Sequence, residues 1–333
     1  MTNRIRSIAA LGAIAALALT GCATTGPDAG GAAEPGAESV TIEHALGTAE
    51  IPADVERVVT LGWGSTEAVL ALGIVPVGIS YQSYGANEEG IEPWVVDELD
   101  ALGGETTVLP NSQETPVEAI AALEPDLILA TYSGVTQDEY DLLDAIAPTV
   151  AYPEKEWSTP WQEVITTAGT ALQREDEADA IIDDISAELA TVAEEHPQFA
   201  GKTIIAAADF EGAFYGYTPA DPRVEVLFEL GFENAPALEG FDPGDGSFFF
   251  TASNEQLDQL ESDVLLLYFD DQATADTYLA SSTAATLPQV AAGTVAPLVG
   301  ASYVAAVSPP TALSVSWGLD ALVDALEQAA PAA

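Results

Sequence analysis

Residues 118–129 read EAIAALEPDLIL, and residues 255–266 read EQLDQLESDVLL. In both, an acid stands eight positions before an aspartate, Leu-Glu-x-Asp closes a helical stretch, and an apolar strand begins directly after the aspartate. A second matching pair precedes each copy: residues 67–73, EAVLALG, and residues 225–231, EVLFELG. Each is a helix that stops and turns toward a buried strand. One such match is weak, but two in the same order predict two similar α/β lobes.

Outward from these repeats, short apolar runs predict strands at Arg57–Leu61, Ile74–Ile79, Asp126–Ala130 and Thr149–Tyr152, and again at Thr203–Ala208, Val264–Tyr268 and Thr294–Leu298. Amphipathic stretches separate them, the pattern of α/β layers with a central sheet in each lobe. Between the halves, Thr159-Pro160-Trp161 opens a helix. A longer helix is predicted from about Asp176 to Glu195, with Ile181, Ile185, Leu189 and Val192 on one face. Twenty residues of helix span about 30 Å, enough for a single strut joining the lobes, with a ligand cleft between them. A helix packed inside one domain is the alternative. The expected segments are 1–21, a signal peptide; 22–39, a flexible tether; 40–157, the N-terminal lobe; 158–197, the linker helix region; and 198–330, the C-terminal lobe.

The N-terminus carries Arg4 and Arg6, an apolar run from Ile8 to Leu19, then Thr20-Gly21-Cys22. That is signal-peptide grammar, and its ending is similar to the lipobox of bacterial lipoproteins, in which the cysteine sulfur takes a lipid (palmitate and related acyl chains). Cys22 is the sole cysteine, so lipidation there, on the extracytoplasmic face of the cell membrane, is the expectation, against an ordinary secretory peptide with an incidental thiol. The chain has 54 acids and 7 bases, a formal net charge of −47. Such a surface repels nucleic acid and anionic headgroups, so membrane attachment would come from the lipid alone. Beyond the signal segment the bases are Arg57, Lys155, Arg174, Lys202 and Arg223.

Catalytic constellations are scarce. His44, expected on the surface of a first hairpin, and His196 have no neighbours at metal-ligand spacing. No phosphate loop or nucleophile elbow occurs. Abundant carboxylates leave a glycosidase-type pair open, so an extracellular lipoprotein hydrolase stands as the alternative to a non-enzyme.

Val58–Leu61, the Thr66-Glu67 helix ending at Leu72-Gly73, Leu123–Ile128, Ile146–Val150, Leu230-Gly231 and Asp263–Leu266 together resemble the substrate-binding proteins of ABC importers for ferric siderophores, haem and cobalamin, the helical-backbone class of periplasmic binding proteins. The resemblance covers about residues 40–328. It implies two α/β lobes joined by one long helix, small hinge motion, an ABC permease with its ATPase as partner, and a monomer. It also implies one surface glutamate per lobe docking on the permease, at positions matched here by Glu67 and Glu225. A first-turn acid can instead simply complement the helix dipole.

Ligands of open α/β lobes sit beyond the carboxyl ends of the strands. The loops there hold Trp63, Tyr81, Tyr84, Tyr132 and Trp157 in the first lobe, and Phe214, Tyr215, Tyr217, Phe269 and Tyr303, with Phe248 less firmly placed, in the second. Aromatic faces with polar tips suit a bulky, partly apolar ligand. A tris-catecholate ferric complex is strongly anionic and wants several cations; only Lys155 and Arg223 fall on cleft loops. The expected cargo is therefore a neutral or cationic ferric siderophore of the hydroxamate type, its iron carried wholly within the chelator, with no resident cofactor. Haem and cobalamin are the alternatives, and a ligand sensor is a third role for the same architecture.

Overall fold

The computed structural model describes residues 39–330 apart from Gln113, Glu211, Asp242 and Asp245. The expected signal segment and Cys22 lie outside the described residues. An antiparallel hairpin, β1 (Val40–His44) and β2 (Gly47–Ile51), comes first. The first sheet follows: β3 (Val58–Thr60), β4 (Gly78–Ile79), β5 (Thr107–Val108), β6 (Leu127–Ala130) and β7 (Thr149–Ala151), in the order β5-β4-β3-β6-β7. All its pairings are parallel. Helices α1 (Ser65–Ala71), α2 (Pro93–Leu102), α3 (Val117–Ala122) and α4 (Gln137–Asp144) make the crossovers. Ile74–Val77, predicted as strand, is not: the residues after Gly73 climb back to the sheet as loop, and only Gly78 and Ile79 pair.

Helices α5 (Trp161–Ala171) and α6 (Glu175–Glu195) separate the sheets. The second sheet contains β8 (Thr203–Phe210), β9 (Ala213–Tyr217), β10 (Glu233–Asn234), β11 (Phe249–Ala252), β12 (Val264–Phe269) and β13 (Val295–Val299). Its order is β11-β9-β8-β12-β13, with β10 beside the start of β8. α7 (Pro222–Glu229), α8 (Gln272–Leu279), α9 (Pro288–Ala292), α10 (Ala301–Ala306) and α11 (Ser314–Ala329) complete the chain.

The repeats explain why the sheets match. α1 leads through Gly73 (φ +75°) to β4 beside β3, as α7 leads through Gly231 (φ +98°) to β10 beside β8. The shared aspartates do one job twice. Asp126 accepts from the backbone N–H of Glu56 and Arg57 at 3.0 and 2.9 Å, and Asp263 accepts from that of Thr203 at 2.8 Å. Each ties the start of its own strand to the start of the neighbour. The second lobe departs from the first by inserting β9 and β11, antiparallel, at the edge of β8.

Alternation along the strands sorts the core into one shared cluster and an outer cluster on each sheet. Leu127 and Leu129 of β6, with Val264, Leu266 and Tyr268 of β12, join a cluster that runs through α5, α6 and α11 and is common to both sheets. Ile128 and Ala130 pack outward with Ile120 and Leu143, while Leu265, Leu267 and Phe269 pack outward with Ala275. On α6, Ile185 and Leu189 are buried in the common core, and Ile181 and Val192 lie against it. The last elements also return to the first lobe. Trp317 of α11 meets Trp94 of α2 with ring centroids 5.4 Å apart.

Candidate functional site

The loop after β3 presents Trp63, the loop after β6 presents Tyr132, and the segment between β7 and α5 presents Trp157. Their ring centroids lie 5.2 Å (Trp63–Trp157), 6.1 Å (Trp63–Tyr132) and 6.0 Å (Tyr132–Trp157) apart. Trp63 keeps 40 % of its surface exposed, and its Nε1 donates to Gln82 Oε1 at 2.7 Å. Trp157 has φ +56°, a left-handed conformation costly for a bulky side chain. It lies so close to Gly134 that a Cβ there would come within 2.6 Å of the indole. These three rings form one aromatic cluster, in which Tyr132 is buried and Trp63 exposed.

A second cluster comes from the second sheet. Tyr215 and Tyr217 share one side of β9, and Tyr268, Phe269 and Asp270 end β12. With Tyr84, Phe210 and Tyr278 they line a cavity of about 570 Å³, within the size range of small-ligand sites. Arg223, at the start of α7, lies over the Tyr217 ring with its guanidinium carbon 3.9 Å from the centroid. Its Nε donates to Asp221 Oδ1 at 2.7 Å, and only 11 % of its side chain is exposed. Burial opposes the guanidinium's charge, but Asp221 and the phenols of Tyr217, Tyr268 and Tyr132 outweigh it and its pKa rises. Burial pushes the Asp221 carboxyl up, and Arg223 pulls against that. Burial also raises Tyr132, with Asp221 adding to the rise and Arg223 opposing it; the first-lobe phenol therefore faces the second-lobe ion pair.

The two clusters are clasped at one side. Tyr84 Oη donates to Asp270 Oδ1 at 2.6 Å, and Ser302 Oγ donates to the Gly85 carbonyl at 2.7 Å. The other bases are engaged elsewhere. Arg57 donates to the carbonyls of Leu123 and Glu124 beyond α3, and Arg174 to the Leu72 carbonyl beyond α1, where cations suit exposed helix ends. Lys155 is exposed on the first-lobe loop, with its Nζ close against Gly246.

Of the residues expected at the cleft, Trp63, Tyr132 and Trp157 form the first cluster, and Tyr84, Tyr215, Tyr217, Phe269 and Arg223 belong to the second region. Tyr81 lines a separate cavity of about 280 Å³ with Trp157 and Ser133. Phe214 is corrected: alternation along β9 points it into the core at 0 % exposure. Tyr303 packs at a tilt against Trp317 with centroids 5.3 Å apart and keeps 42 % of its surface exposed. Phe248 packs on Phe249. Glu67 is not a surface group; it is 4 % exposed and accepts from Trp94 Nε1 at 3.0 Å. Glu225 is half-buried and accepts from Gln162 Nε2 at 3.0 Å. Glu67 therefore departs from the expected surface position, whereas Glu225 keeps part of its surface exposed. His44 is half-buried, edge-on to Tyr140 at 5.0 Å, and burial holds its pKa down.

Sequence reading missed Tyr268 and Asp270. Tyr268 reads as one more apolar strand residue, and only the fold brings it to Arg223. Among the described residues no group of three or more His, Cys, Asp or Glu is arranged to hold a metal ion, and no helix is long and apolar enough to cross a membrane.

The family model described as "Periplasmic binding protein" matches residues 58–297. A Bacillus subtilis protein described as "Probable siderophore-binding lipoprotein YfiY" is 33% identical over 234 residues, 68% of each chain. The Fe(3+)-citrate-binding protein YfmC of the same organism is 26% identical over 82% of each chain. Among solved structures, PiaA of Streptococcus pneumoniae in complex with ferrichrome is 32% identical with a TM-score of 0.80, over 87% of this chain and 98% of that one. The two-sheet architecture, its repeats and these matches agree, and the chain belongs to the periplasmic binding protein family.

Proposed function

We propose that this protein is the substrate-binding component of an ABC importer and captures a ferric siderophore of the hydroxamate type, neutral or cationic, for delivery to a membrane permease and its ATPase. The observation that carries this reading is the set of aromatic side chains from both lobes with a guanidinium, Arg223, held over the Tyr217 ring and electrostatically coupled to the first-lobe Tyr132. Such side chains suit the apolar body of a chelator, and the guanidinium suits its iron-binding oxygens. On this reading the iron stays within the chelator. Binding rather than turnover is its role, as a monomer tethered by lipid on Cys22 at the extracytoplasmic face of the membrane. The similarity to a ferrichrome-bound structure supports the hydroxamate class.

Tryptophan fluorescence tests it directly, because Trp63 and Trp157 stand in the first cluster. Titration with ferrichrome should give saturable quenching at one ligand per chain. A clear preference for a ferric tris-catecholate would overturn the ligand class, and release of product from a glycoside or ester without a partner protein would overturn the binding role.

A further inference from the structure

Asp221 is 1 % exposed and does two things at once with Oδ1: it accepts from the Arg223 backbone N–H at 2.9 Å and from Arg223 Nε at 2.7 Å. Its other oxygen, Oδ2, is buried without a hydrogen-bond partner. Capping α7 does not require this residue. Serine or asparagine caps as well, without the cost of burying a full carboxylate. The extra charge therefore needs a reason, and Arg223 provides one. The guanidinium carbon sits 3.9 Å from the centre of the Tyr217 ring, which lines the cavity, and Asp221 fixes its Nε. Ionised as a hydrogen-bonded pair, the carboxylate and the guanidinium sum to zero charge. Asp270 and Asp209, which line the adjoining cavity, add only negative charge there.

We infer that Asp221 is the specificity-determining residue of the cleft: it orients Arg223 as a hydrogen-bond donor while cancelling its charge, so that neutral or cationic ferric chelates are accepted and anionic ones rejected. This rests on the reading of the protein as a ferric siderophore binder. An uncompensated guanidinium among aromatic rings would instead attract anions strongly, since Coulomb attraction in such surroundings far exceeds that in water.

The test is Asp221→Asn, which preserves the α7 cap and removes the charge. Wild type and variant are titrated by tryptophan fluorescence with ferrichrome, which is neutral, and with a ferric tris-catecholate, which is trianionic. Circular dichroism checks the fold, and Asp221→Ser provides a second capping variant. The ratio of tris-catecholate to ferrichrome affinity should rise by about tenfold or more in both variants. Adding Arg223→Gln to Asp221→Asn should abolish the rise. A ratio unchanged from wild type, with both affinities moving in parallel, would show a structural role only and overturn the inference while leaving the siderophore reading intact. Failure of wild type to bind ferrichrome at all would overturn that reading, and this inference with it.

Discussion

Glu67 and Glu92 are two buried carboxylates in the same region of the first lobe, 4 % and 8 % exposed. Trp94 Nε1 donates to Glu67, and the Thr311 hydroxyl, from the segment before α11, supports it as well. Burial pushes both carboxyls up, and the proximity of Glu67 helps carry Glu92 to about 9. The consequence for stability has a definite sign. An unfolded chain releases the Glu92 proton in the ordinary carboxylate range, about pH 4.3, whereas the folded chain keeps it. Between those limits the native state binds the extra proton, so stability is fully present below the ordinary range and declines as pH rises toward about 9. Glu92→Gln removes that slope. Its Tm should match wild type at pH 4 and exceed it by about 5 °C or more at pH 8. The same difference at both pH values, in calorimetry, would sink this account.

At the level of elements, the repeated aspartates are the parts that make two lobes from one plan. Asp263 is held below the usual carboxylate range by the Thr203 backbone N–H and hydroxyl, despite an opposing desolvation effect. Asp126 does the same tying with two backbone donors. Asp126→Ala and Asp263→Ala should each lower unfolding free energy by about 1–3 kcal/mol, measured by urea denaturation, and leave ferrichrome affinity unchanged. Loss of binding without loss of stability would place these residues in the wrong role. The capping box of α4 is equally local: Thr136 caps the backbone of Glu139, which returns the bond at 2.9 Å.

Across the whole molecule, the Tyr84–Asp270 bond is one of two hydrogen bonds that clasp the lobes beside the cavity. Burial first, and then Asp270, raise the Tyr84 phenol's pKa, so the hydroxyl remains a donor throughout the physiological range. Tyr84→Phe keeps the ring and deletes that bond. Ferrichrome should then dissociate about tenfold faster while associating at a similar rate, as stopped-flow fluorescence would show; an unchanged dissociation rate would exclude a role for the clasp in retention.

The sequence by itself determined the elements. Alternating apolar strands, the α6 stripe of Ile181, Ile185, Leu189 and Val192, and the twice-repeated helix–turn–strand units are local patterns, and local patterns are legible because a backbone period of 2.0 or 3.6 sorts side chains onto faces. Most of the cleft aromatics were legible for the same reason, since strand ends mark the cleft. Tertiary structure alone decided the rest. Phe214 and Tyr215 are neighbours in the chain, yet a strand sends one to the core and leaves the other at the cavity. Glu67 occupies a first turn that looks solvent-facing in isolation, but α2 and the chain before α11 close over it. Arg223 meets Tyr268 and Tyr132 only when the chain is folded, because burial and long-range charge pairing depend on what lies across a gap, and distance along the chain carries no record of it.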